Sequence, residues 1–119
     1  MSLQTVGRKL VEMCNQGKNF DVMRTLYAPD VVSVESGGEE TAGQLQVIHK
    51  SEIWRSINTL HSQKARGPYF HGPSQFAVHY TVDVTPKASG QRTTLEEVGV
   101  YTVQDDKITR EQFFYDGAR

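Results

Sequence analysis

Four glutamates raise the first chemical question: Glu35, Glu96, Glu97 and Glu111. A carboxylate does acid–base work only where the fold lifts it from water or sets it beside a partner, so the side each one faces decides its use. Glu35 and Ser36 end an apolar run just before Gly37-Gly38, where a polar group faces either solvent or a cavity. Glu96, Glu97 and Glu111 lie in two alternating stretches, "RTTLEEVGVYTV" and "KITREQFFYD", joined by Asp105-Asp106. If those aspartates form a two-residue turn, Gln104 opposes Lys107. Thr102 with Thr109, Val100 with Glu111, Val98 with Phe113 and Glu96 with Tyr115 then share one face. The other face holds Glu97, Gly99, Tyr101, Val103, Ile108, Arg110, Gln112 and Phe114, and a slip of one residue exchanges the partners.

Other chemistry is poorly supplied. His49, His61, His71 and His79 are scattered, with no pair at ligand spacing on a helix and no cysteine neighbour, so no metal site is expected. His71 sits between Gly-Pro pairs and reads as part of a turn. Cys14 is the single cysteine, which excludes an intrachain disulfide and reads as a small buried apolar group. Gly37-Gly38 and Gly43 lack the spacing and the following lysine of a phosphate cradle, and no cofactor is expected.

The 119 residues suffice for one domain spanning 1–119, with one core and no separate cofactor domain. A formal net charge of -1 gives no general attraction to phosphate backbones or anionic lipid, so neither nucleic acid nor membrane is an expected partner. No apolar run approaches membrane-spanning length, and "MSLQTVGRKLVEMC" puts charges where a signal peptide needs an apolar centre. The expected location is the cytoplasm.

The elements that must position these groups follow from periodicity. Leu3, Val6, Leu10, Met13 and Cys14 draw one apolar stripe on a helix, broken by Asn15, Gly17 and Asn19. A second helix is expected from about Phe20 to Tyr27, with Asn19 or Asp21 as cap. Pro29 then stops helical backbone, and β-branched residues carry a strand from Val31 to Glu35. "SGGEETAGQLQ" reads as a loop over the region from Gly37 to Val47. A third helix is expected from about Ser51 to His61, with Ile53, Trp54, Ile57 and Leu60 on one face. Trp54 is a large amphipathic group that could line a pocket, but it lies beside the centre of that stripe, so helix packing or a dimer contact is the safer reading. Phe76, Val78, Tyr80, Val82 and Val84 then alternate with Ala77, His79, Thr81 and Asp83, a half-buried strand ended by Pro86. Helices first and consecutive strands afterwards make an α+β fold.

With these elements in order, "NQGKNFDVMRTLYAPDVVSVES", "HKSEIWRSI" and "VGVYTVQDDKITREQFFYD" together resemble the SnoaL-like branch of the nuclear transport factor 2 (NTF2)-like superfamily, over nearly the whole chain. The resemblance implies a strongly curved antiparallel sheet, with three helices closing one face into a cone around a pocket. It also implies a homodimer through the outer sheet face, the side to which His79 alternates. The superfamily hosts isomerases, cyclases, an epoxide hydrolase, a dehydratase and modules that only bind, so the fold leaves the activity open.

The resemblance places functional positions on this chain residue by residue. The catalytic base of the ketosteroid isomerase branch falls on Ser36, its tyrosine on Leu10 and its oxyanion-holding acid on Val98 or Gly99. A hydroxyl without a base of its own takes no proton from carbon, so that isomerase constellation is absent. If Val32, Val34 and Ser36 face the cavity, Glu35 faces away unless a bulge at Gly37-Gly38 re-aims it, and it is otherwise a solvated strand-end glutamate. The last strand is expected to show the cavity Glu111, Phe113 and Tyr115, a carboxylate between aromatic rings. The alternative for Glu111 is an ion pair with Arg110 or Lys107 at the sheet edge.

Three functions compete. One is a small-molecule-binding domain with a mostly apolar cavity lined by Val34, Ser36, Tyr80, Glu111, Phe113 and Tyr115, selecting a hydrophobic molecule with polar handles. The second is a cyclase- or isomerase-like enzyme using Glu111 or a re-aimed Glu35 as acid or base. The third is a non-catalytic dimerisation domain whose cavity is filled by its own side chains.

Overall fold

The computed structural model describes residues 2–117; Met1, Ala118 and Arg119, counted in the expected domain, lie outside the described residues. Helix α1 runs Leu3–Asn15, α2 Asn19–Thr25 and α3 Gln44–Ile57. The strands are β1 Tyr27–Val34, β2 Glu40–Ala42, β3 Asn58–His71, β4 Gln75–Pro86, β5 Thr93–Gln104 and β6 Lys107–Phe114. They form one six-stranded sheet in the order β2-β1-β6-β5-β4-β3. The result is the expected α+β cone, with one correction: the sheet is mixed, because β1 and β6 run parallel.

Local chemistry explains the helices. Ser2 caps α1 by accepting a hydrogen bond from the Thr5 amide at 3.2 Å, and Val6, Leu10 and Cys14 are buried on one stripe. Gly7 lets α1 approach β3 closely, since a methyl there would stand 3.1 Å from the Pro68 ring. Asn15 then ties the helix end to the strand, donating to the Ala65 carbonyl at 3.0 Å and accepting from its amide at 2.8 Å. The second helix stops at Thr25, and Tyr27 already belongs to β1.

The third helix begins seven positions before the expected Ser51, at Gln44, and ends at Ile57, four before His61. Its anchor is Val47, which is fully buried, whereas Ile53 and Ile57 are 50% and 55% exposed. The expected stripe is therefore split, with Ile53 and Ile57 on an outer face and Trp54 and Leu60 packed against the core. The expected loop is also shorter, since β2 pairs with β1 inside it. On β4 the alternation is realised as read, with Phe76, Val78, Tyr80, Val82 and Val84 all buried.

Register on the β5–β6 hairpin holds at the turn and then shifts. Gln104 opposes Lys107 and Val103 opposes Ile108, but Thr102 opposes Arg110 and Tyr101 opposes Glu111. Thr109 is the extra residue of a bulge, so Ile108 and Glu111 both point inward. Tyr101, expected on the face away from Glu111, is therefore its cross-strand neighbour.

Candidate functional site

Between the helices and the sheet lies a hollow of about 220 Å³. Its apolar wall is formed by Phe20, Met23, Trp54, Leu60, Leu95 and Phe113. Trp54, read from sequence as helix packing or a dimer contact, lines this hollow.

The polar residues form a connected run along the hollow. Glu111 is 2% exposed, and Tyr27 donates its hydroxyl to Glu111 Oε1. Ser33, fully buried, also hydrogen-bonds Glu111 and accepts from Lys50 Nζ at 2.9 Å. Lys50 donates to Glu35 Oε1 at 2.7 Å, and Tyr115 donates to Glu35 Oε2 at 2.7 Å. Burial pushes the Glu111 carboxyl above its ordinary value, and nearby Glu35 adds to this. Tyr27, Ser33 and Lys50 pull the other way without cancelling it. Tyr115 is pushed up to about 12 by desolvation and by its bond to Glu35.

A second polar group sits among the sheet residues. The hydroxyls of Tyr80 and Tyr101 are 2.5 Å apart, and the Cys14 thiol hydrogen-bonds Tyr80. Burial pushes Cys14 up to about 11 and both tyrosines well above their usual value, so all three hold their protons near neutral pH.

Of the residues expected at the site, Tyr80, Glu111, Phe113 and Tyr115 line the hollow. Val34 is buried but does not line it. Ser36 points into a shallow surface groove instead, where its hydroxyl donates to the Tyr115 carbonyl at 2.8 Å. Glu35 is the corresponding correction: expected to face away, it lines the hollow. On β1 the inward residues are Val31 and Ser33, continuing to Glu35, one step out of phase with the Val32–Val34–Ser36 reading; pairing with β6 is irregular between Tyr27 and Val32. Glu97 rather than Glu96 lines the hollow.

Sequence reasoning missed Tyr27, Ser33, Lys50 and Tyr101. The regular β1 alternation held the signal for Ser33 and Glu35, but two adjacent valines at Val31-Val32 left its phase open. Among the described residues no group of three His, Cys, Asp or Glu side chains is placed to hold a metal ion. His61 instead bonds Thr85, and His79 lies near Arg66 and Glu96.

An open mixed sheet closed on one face by three helices, with a hollow between, defines an NTF2-like α+β protein. The chain belongs to the SnoaL-like domain family, whose model matches residues 1–115. A structure from Mesorhizobium loti, named as a candidate SnoaL-like polyketide cyclase with "carbohydrate phosphatase" in brackets, is 36% identical; the match covers 97% of this chain and 100% of that one, with a TM-score of 0.92. A candidate SnoaL-like polyketide cyclase from Jannaschia sp. CCS1 is 17% identical over 96% of this chain and 85% of that one, with a TM-score of 0.78. A cystatin-like protein of unknown function from Xanthomonas campestris is 14% identical over 98% and 92%, with a TM-score of 0.80. These last two speak to the fold alone. No curated protein matches the chain. Among the described residues no helix is long and apolar enough to cross a membrane.

Proposed function

We propose that the hollow receives a small, mostly apolar carbonyl compound and that Glu111 exchanges a proton with the carbon next to its carbonyl. The observation that carries this is the Glu111 carboxyl itself: buried in an apolar hollow, with its direct partners the neutral hydroxyls of Tyr27 and Ser33 rather than a cation. A carboxyl kept for structure alone is ordinarily neutralised by direct ion pairing. One held by neutral donors, with burial favouring its protonated form, is suited to give and take a proton near neutral pH.

The naming of the Mesorhizobium protein as a candidate polyketide cyclase supports the same chemistry. Ring closure between two carbonyl groups starts with loss of a proton beside one and ends with a proton delivered to the oxygen of the other. A hollow of about 220 Å³ suits a ligand of one or two rings, given that about 150 Å³ holds benzene. That open volume also speaks against a cavity filled by its own side chains. Glu35 also lines the hollow, but its direct ion pair with Lys50 makes it, by the same criterion, the less suited of the two carboxyls. The outer sheet face, where Phe114 is 50% exposed, is the proposed dimer contact, and sedimentation at micromolar concentration showing only monomer would refute it.

The test uses small cyclic ketones and 1,3-dicarbonyls that shift the melting temperature. Exchange of their acidic C–H protons for deuterium, followed by NMR, should be accelerated by the protein. Glu111→Gln should lose this acceleration by about a hundredfold or more. Exchange at the full rate in a folded Glu111→Gln protein removes Glu111 from the chemistry.

A further inference from the structure

The Cys14–Tyr80–Tyr101 group has more hydrogen-bonding capacity than its internal contacts use. Three X–H groups share two links, Cys14 with Tyr80 and Tyr80 with Tyr101. Tyr101 makes its one hydrogen bond among the described residues to Tyr80, yet a phenol offers one donor and two acceptor sites. Both tyrosines and Cys14 line the hollow.

The direction of the chain decides what Tyr101 offers. If Tyr80 donates to Tyr101, the Tyr101 proton is left over for the hollow. If Tyr101 donates to Tyr80, and Tyr80 to the Cys14 sulfur, lone pairs of Tyr101 are left over instead. Switching between the two needs rotation of hydroxyl and thiol hydrogens only, with no proton leaving the protein and no change of charge.

The ring of Tyr101 is held in place on several sides. It stacks on Phe76 with centroids 5.0 Å apart, and Phe113 meets it edge-on at 6.4 Å. Gly99 supplies the space: a methyl there would come within 3.0 Å of a Tyr101 ring carbon and 3.1 Å of its hydroxyl. A phenol fixed this firmly on the wall of the hollow, with hydrogen-bonding capacity to spare, is built to read an oxygen.

We propose that Tyr101, backed by Tyr80 and Cys14, forms an oxygen-recognising subsite that accepts either a carbonyl or a hydroxyl on a one- or two-ring ligand. The subsite rests on the reading that a small molecule enters the hollow, and it narrows that molecule to one bearing an oxygen at its buried end. It suits a ligand whose carbonyl becomes an enol or hydroxyl, because the same phenol serves both forms.

Calorimetric titration with phenol, cyclohexanone and toluene tests it. Wild-type protein should bind all three. Tyr101→Phe should weaken phenol and cyclohexanone by about tenfold or more, with toluene unchanged within error; toluene binding shows that the variant is folded and its hollow open. Gly99→Ala, which displaces the Tyr101 ring, should lower the phenol-to-toluene affinity ratio in the same sense. Equal effects on all three ligands in both variants would overturn the subsite while leaving the ligand-binding hollow standing. Failure of wild-type protein to bind any of them would overturn both.

Discussion

Lys50 holds Glu35 with its ammonium 2.7 Å from the carboxylate, and the pair stitches α3 to the end of β1. The same ammonium reaches Ser33 at 2.9 Å, so one lysine from a helix joins the outer carboxylate to the hydroxyl that contacts the buried one. The polar run from Tyr115 to Tyr27 passes through it.

Lys50→Met is expected to cost about 1 kcal/mol of stability, and the loss should shrink as salt rises, because the pair keeps 31% and 27% of its side-chain surface exposed. Urea unfolding at low and high NaCl measures it. A loss indifferent to salt would assign the effect to packing of the lysine stem.

The Glu111 carboxyl has a folded-state pKa raised above the ordinary glutamate value of about 4.5. The folded protein therefore binds this proton more tightly than the unfolded chain does. Its contribution to stability is present at pH below about 4.5 and is lost as pH rises through the raised value. Glu111→Gln, which stays neutral, should gain stability relative to wild type as pH increases across that window. Unfolding free energies of the two proteins at matched pH values test the sign, and a difference independent of pH contradicts the buried carboxyl.

Tyr27→Phe removes the donor to Glu111 Oε1 while keeping the buried ring. Leaving a buried carboxyl oxygen short of its partner should cost about 1–3 kcal/mol. The same change should raise the Glu111 pKa further, since the Tyr27 bond acts to lower it. Carbon-13 NMR titration of the glutamate carboxyls reads that shift; a downward movement would contradict the donor role.

The turn between β5 and β6 places Asp105 at φ 50 and Asp106 at φ 63, both in the left-handed region. Asp106→Gly should stabilise the protein by about 0.5–1 kcal/mol by relieving the second of these positions. Thermal unfolding provides the check, and a lowered midpoint would show that contacts of the Asp106 side chain outweigh its backbone conformation.

Legibility in the sequence followed how directly each element's burial maps onto spacing. Strand β4 buries every expected position, and helix α1 buries Val6, Leu10 and Cys14 with Leu3 and Met13 half-buried at its edges, because each element turns one side to the core. Strand β3 was not foreseen. It lies at the sheet edge and runs through "HSQKARG", where Ala65 is the only buried residue of the strand, so no apolar alternation announces it. Glu111, Phe113 and Tyr115 were expected at the hollow and line it, but the bulge at Thr109 brought Tyr101 to the same face. Ser33, Glu35 and Lys50 come together only through the placement of α3 against β1, which no local pattern in either segment records.

The parallel pairing of β1 with β6 also orders the birth of the molecule. On a ribosome, β1 emerges before its neighbour at the sheet centre, which is made from residues 107–114 only after β2, α3, β3, β4 and β5. Until then a nascent chain has only β2 to pair with β1 and lacks Glu111 altogether. Such distant pairing slows folding, and the hollow gains its buried carboxyl only once β6 has been made.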